Sequence, residues 1–281
     1  MCDDIGLLPR AAAYTLSSGR RVRGRVLVIG GSDPGGGAGI QADIKTITAL
    51  GAYAATAITA LTVQDTVGVH AVLPVAADFI RKQAVAVLED IGADAIKTGM
   101  LGNAASIAAI ATTIQRYAPC IPLVVDPVMV AKGGAALLAL DAIGALKEHL
   151  IPMTTLLTPN VPEAEVLAGM TIRNPSEMRT AVTALLGLGA RAVLLKGGHL
   201  SGDCVVDLLA TGAGITEFAS PRIATRHTHG TGCTLASAIA AGLAQGRPLA
   251  EAIADARAYV WHAIETAPGL GRGHGPLNHV I

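Results

Sequence analysis

The segment His227-Thr228-His229-Gly230-Thr231-Gly232-Cys233-Thr234-Leu235-Ala236-Ser237-Ala238 determines how the rest of the chain is interpreted. It begins polar, passes through two glycines and continues as small, apolar residues, which predicts a loop that becomes a buried helix. The first N–H groups of such a helix have no partner within it and favour an anion. Two glycines alone favour an ordinary helix start. Cys233 favours the anion site, because the positive end of a helix lowers the pKa of a nearby thiol.

The composition of the chain excludes several classes of function. Its 281 residues are 51% hydrophobic but only 2% aromatic, which predicts an aliphatic core. Basic and acidic residues both number 21, so no net charge attracts nucleic acid or an anionic membrane. No uninterrupted apolar run reaches the roughly 18 residues of a membrane helix. The four cysteines lack C-x-x-C spacing, which argues against a zinc site. We expect a cytoplasmic protein.

Strand and helix patterns alternate along the chain. The predicted strands are 25–30, 54–63, 94–98, 122–126, 155–158 and 191–196, with a strand pair near 204–219. The predicted helices are one from Ile40 to Gly51, then 77–90, 103–117, 140–150, 162–169, 176–187, 232–245 and 248–266. This alternation predicts an α/β fold with a mostly parallel sheet and helices on both faces. Ligands bind such sheets beyond the carboxyl ends of the strands.

The ends of the chain bear on domain organisation. Residues 1–24 are rich in arginine but lack a long apolar region, which predicts a disordered or vector-like extension rather than a signal peptide. A transit peptide is an alternative that Asp3 and Asp4 weaken. No repeat or linker interrupts residues 25–281, so we expect a single domain there.

The glycine-rich stretch at 30–39 follows the first predicted strand. Gly37-x-Gly39-x-x-Ala42 satisfies the dinucleotide-binding fingerprint as a bare pattern, but its first glycine should follow the strand directly. Ser32-Asp33-Pro34 intervenes, and no Lys-Ser/Thr completes a P-loop. The glycines instead predict close approach of the backbone to a small, flat ligand.

Polar residues near the ends of later strands suggest phosphate chemistry. Asp126 suits a water-mediated magnesium contact, and Lys132 follows it in a flexible, glycine-containing loop. Lys196 precedes two glycines and offers a point charge to phosphate. Asn160 and Glu163, three apart around a proline, predict a helix cap. The same two side chains can also converge, one from the strand end and one from the first helical turn.

Taken together, these motifs resemble the hydroxymethylpyrimidine and phosphomethylpyrimidine kinases of thiamine synthesis, within the ribokinase-like family. The resemblance extends from about Arg25 to His279, and its motifs occur in the same order as in the family. Its motifs are Gly30–Asp43, Gln64, Lys97–Leu101, Asn160-x-x-Glu163, Lys196-Gly197-Gly198-His199, Gly230–Cys233 and a closing segment, Gly271–His279, to which we assign no chemistry. It implies a ribokinase-like three-layer fold and a homodimer. It also implies that the protein uses MgATP to phosphorylate 4-amino-5-hydroxymethyl-2-methylpyrimidine and then its monophosphate.

The resemblance also implies roles for individual residues. Those for the transferred phosphoryl group are Gly230, Thr231, Gly232 and Cys233, whose N–H groups hold it, and Lys196, which offsets charge on the ATP tail. Those for the pyrimidine are Gly31, Ala38, Asp43, Gln64 and Met100. Those near ATP and Mg²⁺ are Asn160, Glu163, Lys132 and Asp126, with Glu163 and Asp126 reaching the metal through water. Cys233 either deprotonates or only orients the attacking hydroxyl.

Some of these residues have ordinary explanations. Asp43 could be a solvated helix carboxylate, Gln64 a solvated loop residue, and Met100 a core residue. Asp65 departs from the asparagine expected after Gln64, which leaves the hydrogen bonding of that loop open. Two other functions also remain: a pyridoxine or pyridoxal kinase of the same fold, and a catalytically silent domain that senses a ligand.

Overall fold

The computed structural model of the chain describes residues 14–15, 21–129 and 137–281. Lys132 lies outside these ranges, so its contact with phosphate stays a prediction. The extension predicted over 1–24 also lies largely outside them. The described part of it includes β1 (Tyr14–Thr15) and β2 (Arg21–Val22), which pair antiparallel.

A nine-stranded sheet confirms the predicted α/β class. Its strands are β3 (Arg25–Ser32), β4 (Tyr53–Gln64), β5 (Val69–Pro74), β6 (Ala95–Thr98), β7 (Leu123–Val125), β8 (Leu156–Leu157), β9 (Ala192–Leu195), β10 (Cys204–Thr211) and β11 (Gly214–Pro221). Their order is β11-β10-β9-β8-β7-β6-β3-β4-β5. Strands β4, β3, β6, β7, β8 and β9 are parallel, and antiparallel strands extend both edges. The carboxyl ends of the parallel strands therefore meet along one edge of the sheet.

Strand β5 was not predicted from the sequence. It is an edge strand whose side chains are mostly exposed, so it lacks the alternation of buried and exposed positions that identifies a strand. The turn from β4 to β5 is closed by Asp65, whose Oδ1 accepts the N–H groups of Val67 (2.8 Å) and Gly68 (3.1 Å). The carboxylate therefore makes an Asx-type turn, which asparagine would make equally well.

Eight α-helices lie in the described part of the chain, at the predicted positions to within two residues except for the fourth. They are α1 (Gly39–Ala49), α2 (Ala77–Asp90), α3 (Ala104–Tyr117), α4 (Leu140–Ala145), α5 (Val161–Ala168), α6 (Pro175–Leu186), α7 (Thr231–Ala244) and α8 (Leu249–Glu265). Helix α4 ends early and continues as a π-helical turn over Leu146–Leu150. No helix in the described ranges combines the length and apolar character needed to cross a bilayer.

The helices form two layers, one on each face of the sheet. Helices α1, α7 and α8 cover one face, and α2 to α6 cover the other. Leu27 and Ile29 of β3 face the second layer, while Val26 and Val28 face the first. This burial on both faces explains the unbroken apolar run of the strand.

Candidate active site

A cavity of about 660 Å³ opens at the carboxyl-end edge of the sheet. The predicted site residues that the structure describes all line it: Gly31, Ala38, Asp43, Gln64, Met100, Asp126, Asn160, Glu163, Lys196, Gly230, Thr231, Gly232 and Cys233. They come from strand ends and helix starts spread over some 200 residues of sequence. The parallel sheet brings them together because its strands end side by side.

The loop before α7 has the geometry of an anion site. Gly230 precedes the helix with φ of +82°, and a Cβ at this position would overlap the carbonyl oxygen of Gly37. Only glycine fits, both for its conformation and for this close approach. No side chain caps α7, which leaves the N–H groups of Gly232 and Cys233 directed at the cavity. The loop can hold a phosphoryl group through its backbone.

A buried ion pair lies against this loop. Lys196 Nζ is 3.0 Å from Asp126 Oδ1, and a Cβ added at Gly232 would meet both side chains. Burial alone would lower the pKa of Lys196, but the carboxylates of Asp126 and Glu163 outweigh it and raise the pKa. The lysine therefore keeps its positive charge beside the anion site.

Asn160 and Glu163 form the predicted capping box at the start of α5. Asn160 Oδ1 accepts the N–H of Glu163 at 3.0 Å, and Glu163 Oε2 accepts the N–H of Asn160 at 2.8 Å. Burial, with further repulsion from Asp126, raises the pKa of Glu163 to about 7, although Lys196 opposes the shift. Two buried carboxylates facing one cavity fit Mg²⁺, which binds oxygen ligands and would relieve their repulsion.

The pKa of the Cys233 thiol is shifted in the direction opposite to the sequence-based expectation. We expected the helix terminus to lower its pKa, whereas burial raises the pKa to about 11. Lys97 opposes this shift, Asp43 and Asp126 add to it, and the N–H of Gly39 stabilises the thiolate. The expectation omitted the desolvation of this partly enclosed thiol, which disfavours the thiolate. At neutral pH the group is a protonated thiol.

Beside Cys233 lies a buried charge cluster, built on an ion pair that the sequence analysis did not predict. Lys97, fully buried in β6, places Nζ 2.9 Å from both carboxylate oxygens of Asp43. Ser237 Oγ donates to Asp43 Oδ1 at 2.6 Å. Desolvation would lower the pKa of Lys97, but Asp43 and the other nearby acidic groups raise it above its ordinary value. The solvated alternative for Asp43 is therefore wrong, and its contact with substrate stays a prediction.

Another part of the cavity lining, at Gly31, Gln64 and Met100, suits a flat ring. The Sδ of Met100 lies 3.0 Å from where a Cβ would sit on Gly31, so the glycine leaves room for the thioether. Gln64, at the end of β4, presents its side-chain amide to the cavity. Its oxygen lies 3.3 Å from Thr62 Oγ1, and its nitrogen lies 3.3 Å from His229 Nε2.

Asp33 and His229 organise this part of the lining, and the sequence analysis assigned them no role. Asp33 accepts the N–H groups of Gly35 (2.8 Å), Gly37 (3.2 Å) and Ala38 (2.9 Å), which shapes the glycine-rich turn. His229 Nε2 lies 2.9 Å from Asp33 Oδ2. Burial would raise the pKa of Asp33, but the hydrogen bonds from His229 and the turn lower it, so Asp33 is a carboxylate. The sequence feature that could have indicated a role for His229 is the pair of histidines, His227 and His229, just before Gly230.

The C-terminal segment 271–279 connects the β4–β5 turn to the loop before α7. The N–H of His274 donates to the carbonyl of Thr66 in the β4–β5 turn at 2.8 Å. The N–H of His229 donates to the carbonyl of Gly275 at 3.1 Å. The segment therefore has a structural function, which fits the absence of an assigned chemistry.

Comparisons with known sequences indicate one family. A family model described as phosphomethylpyrimidine kinase matches residues 33–278. The chain is 54% identical to the thiamine biosynthesis bifunctional protein of Geobacter sulfurreducens over 92% of its own length, but spans only 53% of that protein. It is 48% identical to the hydroxymethylpyrimidine/phosphomethylpyrimidine kinase of Bacillus subtilis, covering 91% of this chain and 94% of that protein.

Among solved structures, an ADP complex of Bacillus subtilis pyridoxal kinase superposes with a TM-score of 0.85 at 38% identity. The match covers 91% of this chain and 97% of that one. Fold and cavity together define a ribokinase-like small-molecule kinase. Within that class, the chain belongs to the phosphomethylpyrimidine kinase family.

Proposed function

We propose that this protein phosphorylates 4-amino-5-hydroxymethyl-2-methylpyrimidine, and then its monophosphate, with ATP as the phosphoryl donor. The observation that carries the proposal is that Gln64 and the Gly230–Cys233 loop line one cavity. An amide on one wall can pair with an aminopyrimidine edge while the ring's hydroxymethyl group points to the anion loop. The name of the Bacillus subtilis relative, a hydroxymethylpyrimidine/phosphomethylpyrimidine kinase, agrees with this substrate.

The residues supply positioning and charge, which phosphoryl transfer needs more than covalent chemistry. The N–H groups of the anion loop hold the transferring group, and each such donor typically lowers the barrier by about 3–4 kcal/mol. Lys196 offsets charge on the donor's phosphates. The Cys233 thiol orients the attacking hydroxyl.

Asp126 and Glu163 would hold Mg²⁺ through water, beside Asn160. When bound, the metal would neutralise charge on the phosphates of ATP. The capping box fixes the position of Glu163, while Lys196 fixes that of Asp126. We expect ATP consumption with the pyrimidine to require Mg²⁺, and chelation by EDTA to abolish it until Mg²⁺ is restored. Consumption unchanged in EDTA would contradict the metal assignment.

Pyridoxal kinase activity is the second candidate, favoured by the likeness to the solved pyridoxal kinase. The relative of 48% identity bears the pyrimidine kinase name, which makes the pyrimidine the better-supported substrate. A ligand-sensing domain without activity is less well supported, because a sensor has no need of the complete phosphate-side set. We further propose that 25–281 is a single catalytic domain in the cytoplasm, where the Cys233 thiol stays reduced.

We also propose a homodimer, formed through the exposed side of β4 and β5. Leu61, Val63 and Leu73 are 45%, 60% and 64% exposed, and Leu61 and Leu73 are directly paired across the two strands. Thr62 and Gln64 alternate with the exposed residues and face the cavity, so the patch is free to bind a second copy.

Light scattering should therefore give a mass of about twice 28.3 kDa for the unaltered protein. Val63→Glu should lower the measured mass to that of the monomer, because burying an unpaired charge in an apolar interface costs about 3 kcal/mol. Val280→Glu, at a position 89% exposed near the C-terminus, is the matched control and should stay dimeric. A dimeric Val63→Glu variant would place the interface elsewhere.

A further inference from the structure

The side-chain amide of Gln64 lies between two groups that are already committed to other hydrogen bonds. One end of the amide is 3.3 Å from His229 Nε2, and the other is 3.3 Å from Thr62 Oγ1. The amide oxygen and nitrogen can exchange these places by a half-turn of the last side-chain torsion. The hydrogen-bonding state of the two neighbours therefore decides which atom lies at which end.

At the first end, His229 is a donor. Asp33 Oδ2, 2.9 Å from His229 Nε2, already accepts the N–H groups of Gly37 and Ala38. A carboxylate has no proton to donate, so the proton in this contact lies on His229 Nε2. Nε2 then has a single N–H, directed mainly at Asp33, and no lone pair. Gln64 can only share that N–H through its amide oxygen, whereas its NH₂ group would face a nitrogen unable to accept.

At the second end, Thr62 is an acceptor. Its hydroxyl has one proton, and Oγ1 lies 2.8 Å from the carbonyl oxygen of Ser32, which can only accept. Only lone pairs of Oγ1 remain for Gln64. They are complementary to the amide NH₂ group and oppose its oxygen. The two ends independently require the same orientation.

We propose that His229 and Thr62 lock the Gln64 amide with Oε1 toward His229 and Nε2 toward Thr62, and that this lock makes the site select amino- over oxopyrimidines. With one lone pair and one N–H engaged, the amide keeps one acceptor and one donor for the ligand. A 4-aminopyrimidine offers a donor, its amino group, beside an acceptor, its ring nitrogen. The 4-oxo analogue offers the two in reverse order.

The lock matters because an unconstrained amide could turn to match either ring. This inference rests on the proposed function, in which the hydroxymethyl group at the anion loop determines which ring edge meets Gln64. It adds two positioning residues: Gln64 contacts the ring, while His229 and Thr62 act through Gln64. A site with a fixed donor and acceptor rejects mismatched analogues strongly, since their polar groups stay unpaired.

The test compares kcat/KM for the 4-aminopyrimidine substrate with that for its 4-oxo analogue. Thr62→Val removes the acceptor at nearly constant volume, and Thr62→Ser keeps it. We expect Thr62→Val to lower the amino-to-oxo ratio by about tenfold, mainly through KM, while Thr62→Ser stays within about twofold. His229→Leu should lower the ratio similarly, and His262→Gln, an exposed position on α8, should leave it unchanged. A ratio cancels any loss of folded protein in one preparation.

Three results would overturn the inference. A Thr62→Val variant that keeps the full ratio would show that Thr62 does not orient the amide. Equal use of both rings by the unaltered protein would show that the site does not select between them. If the unaltered protein phosphorylates neither ring, the proposed function itself fails, and this inference fails with it.

Discussion

Replacing Cys233 with alanine should lower kcat by about 100-fold, because losing the group that orients the attacking hydroxyl misplaces the reacting atom, which typically costs that much. The Kd of the pyrimidine should change by no more than a few-fold, because the cavity residues that we assign to the ring, Gln64 and Met100, are unaltered. Turnover assays and calorimetric titration measure the two quantities separately. Near-normal turnover in the alanine variant would exclude any role for the thiol in the reaction.

The pH dependence separates the two roles of this thiol. Its pKa of about 11 means that a thiolate base would grow more abundant throughout the range below that value. A base role therefore predicts that kcat/KM rises about tenfold per pH unit between roughly pH 8 and 10. We expect a flat profile, because a protonated thiol can orient the hydroxyl, and Cys233→Ser should keep part of the activity. A steep rise would restore the base role.

Replacing Lys97 with methionine should lower the free energy of unfolding by about 3–5 kcal/mol at pH 7, because it leaves the carboxylate of Asp43 buried without a counter-ion. Lys97 is fully buried, and its Nζ lies 2.9 Å from both oxygens of that carboxylate. Urea denaturation followed by circular dichroism measures the change. Adding Asp43→Asn to the same chain should restore most of the stability, since the amide carries no charge and still accepts from Ser237.

Two outcomes would contradict this account of the buried pair. The single variant could match the unaltered protein in stability, or the double variant could be less stable than the single one. Lys82→Met is the matched control, since its pair with Asp78 is exposed on α2. An exposed ion pair contributes only about 0–1 kcal/mol.

Much of the fold could be predicted because the sheet is buried on both faces. Apolar runs such as Val26–Ile29 in β3, each followed by helical spacing, predicted the parallel strands. Their predicted ends lie within two residues of the observed ends. Strand β5 was missed because it lies at an edge with its side chains mostly in water. The early end of α4 was missed because nothing local marks the change to a π-helical turn.

The site was predictable where chemistry follows a strand end, and not where it depends on burial. Asp126, Asn160 and Lys196 were found because each follows a strand of the parallel sheet. Lys97 and Asp43 are 54 residues apart, and only packing makes them an ion pair. The direction of the shift in the Cys233 pKa depends on how much water the folded cavity excludes, and sequence spacing does not show this.

The most direct test of the central claim is the mass of the product formed from MgATP and 4-amino-5-hydroxymethyl-2-methylpyrimidine, with pyridoxal incubated in parallel. We predict the pyrimidine monophosphate first and the diphosphate after it, with no comparable product from pyridoxal. Formation of pyridoxal phosphate without any pyrimidine diphosphate would contradict the account and assign the protein to the pyridoxal kinases. Phosphorylation of neither compound would support the ligand-sensing alternative.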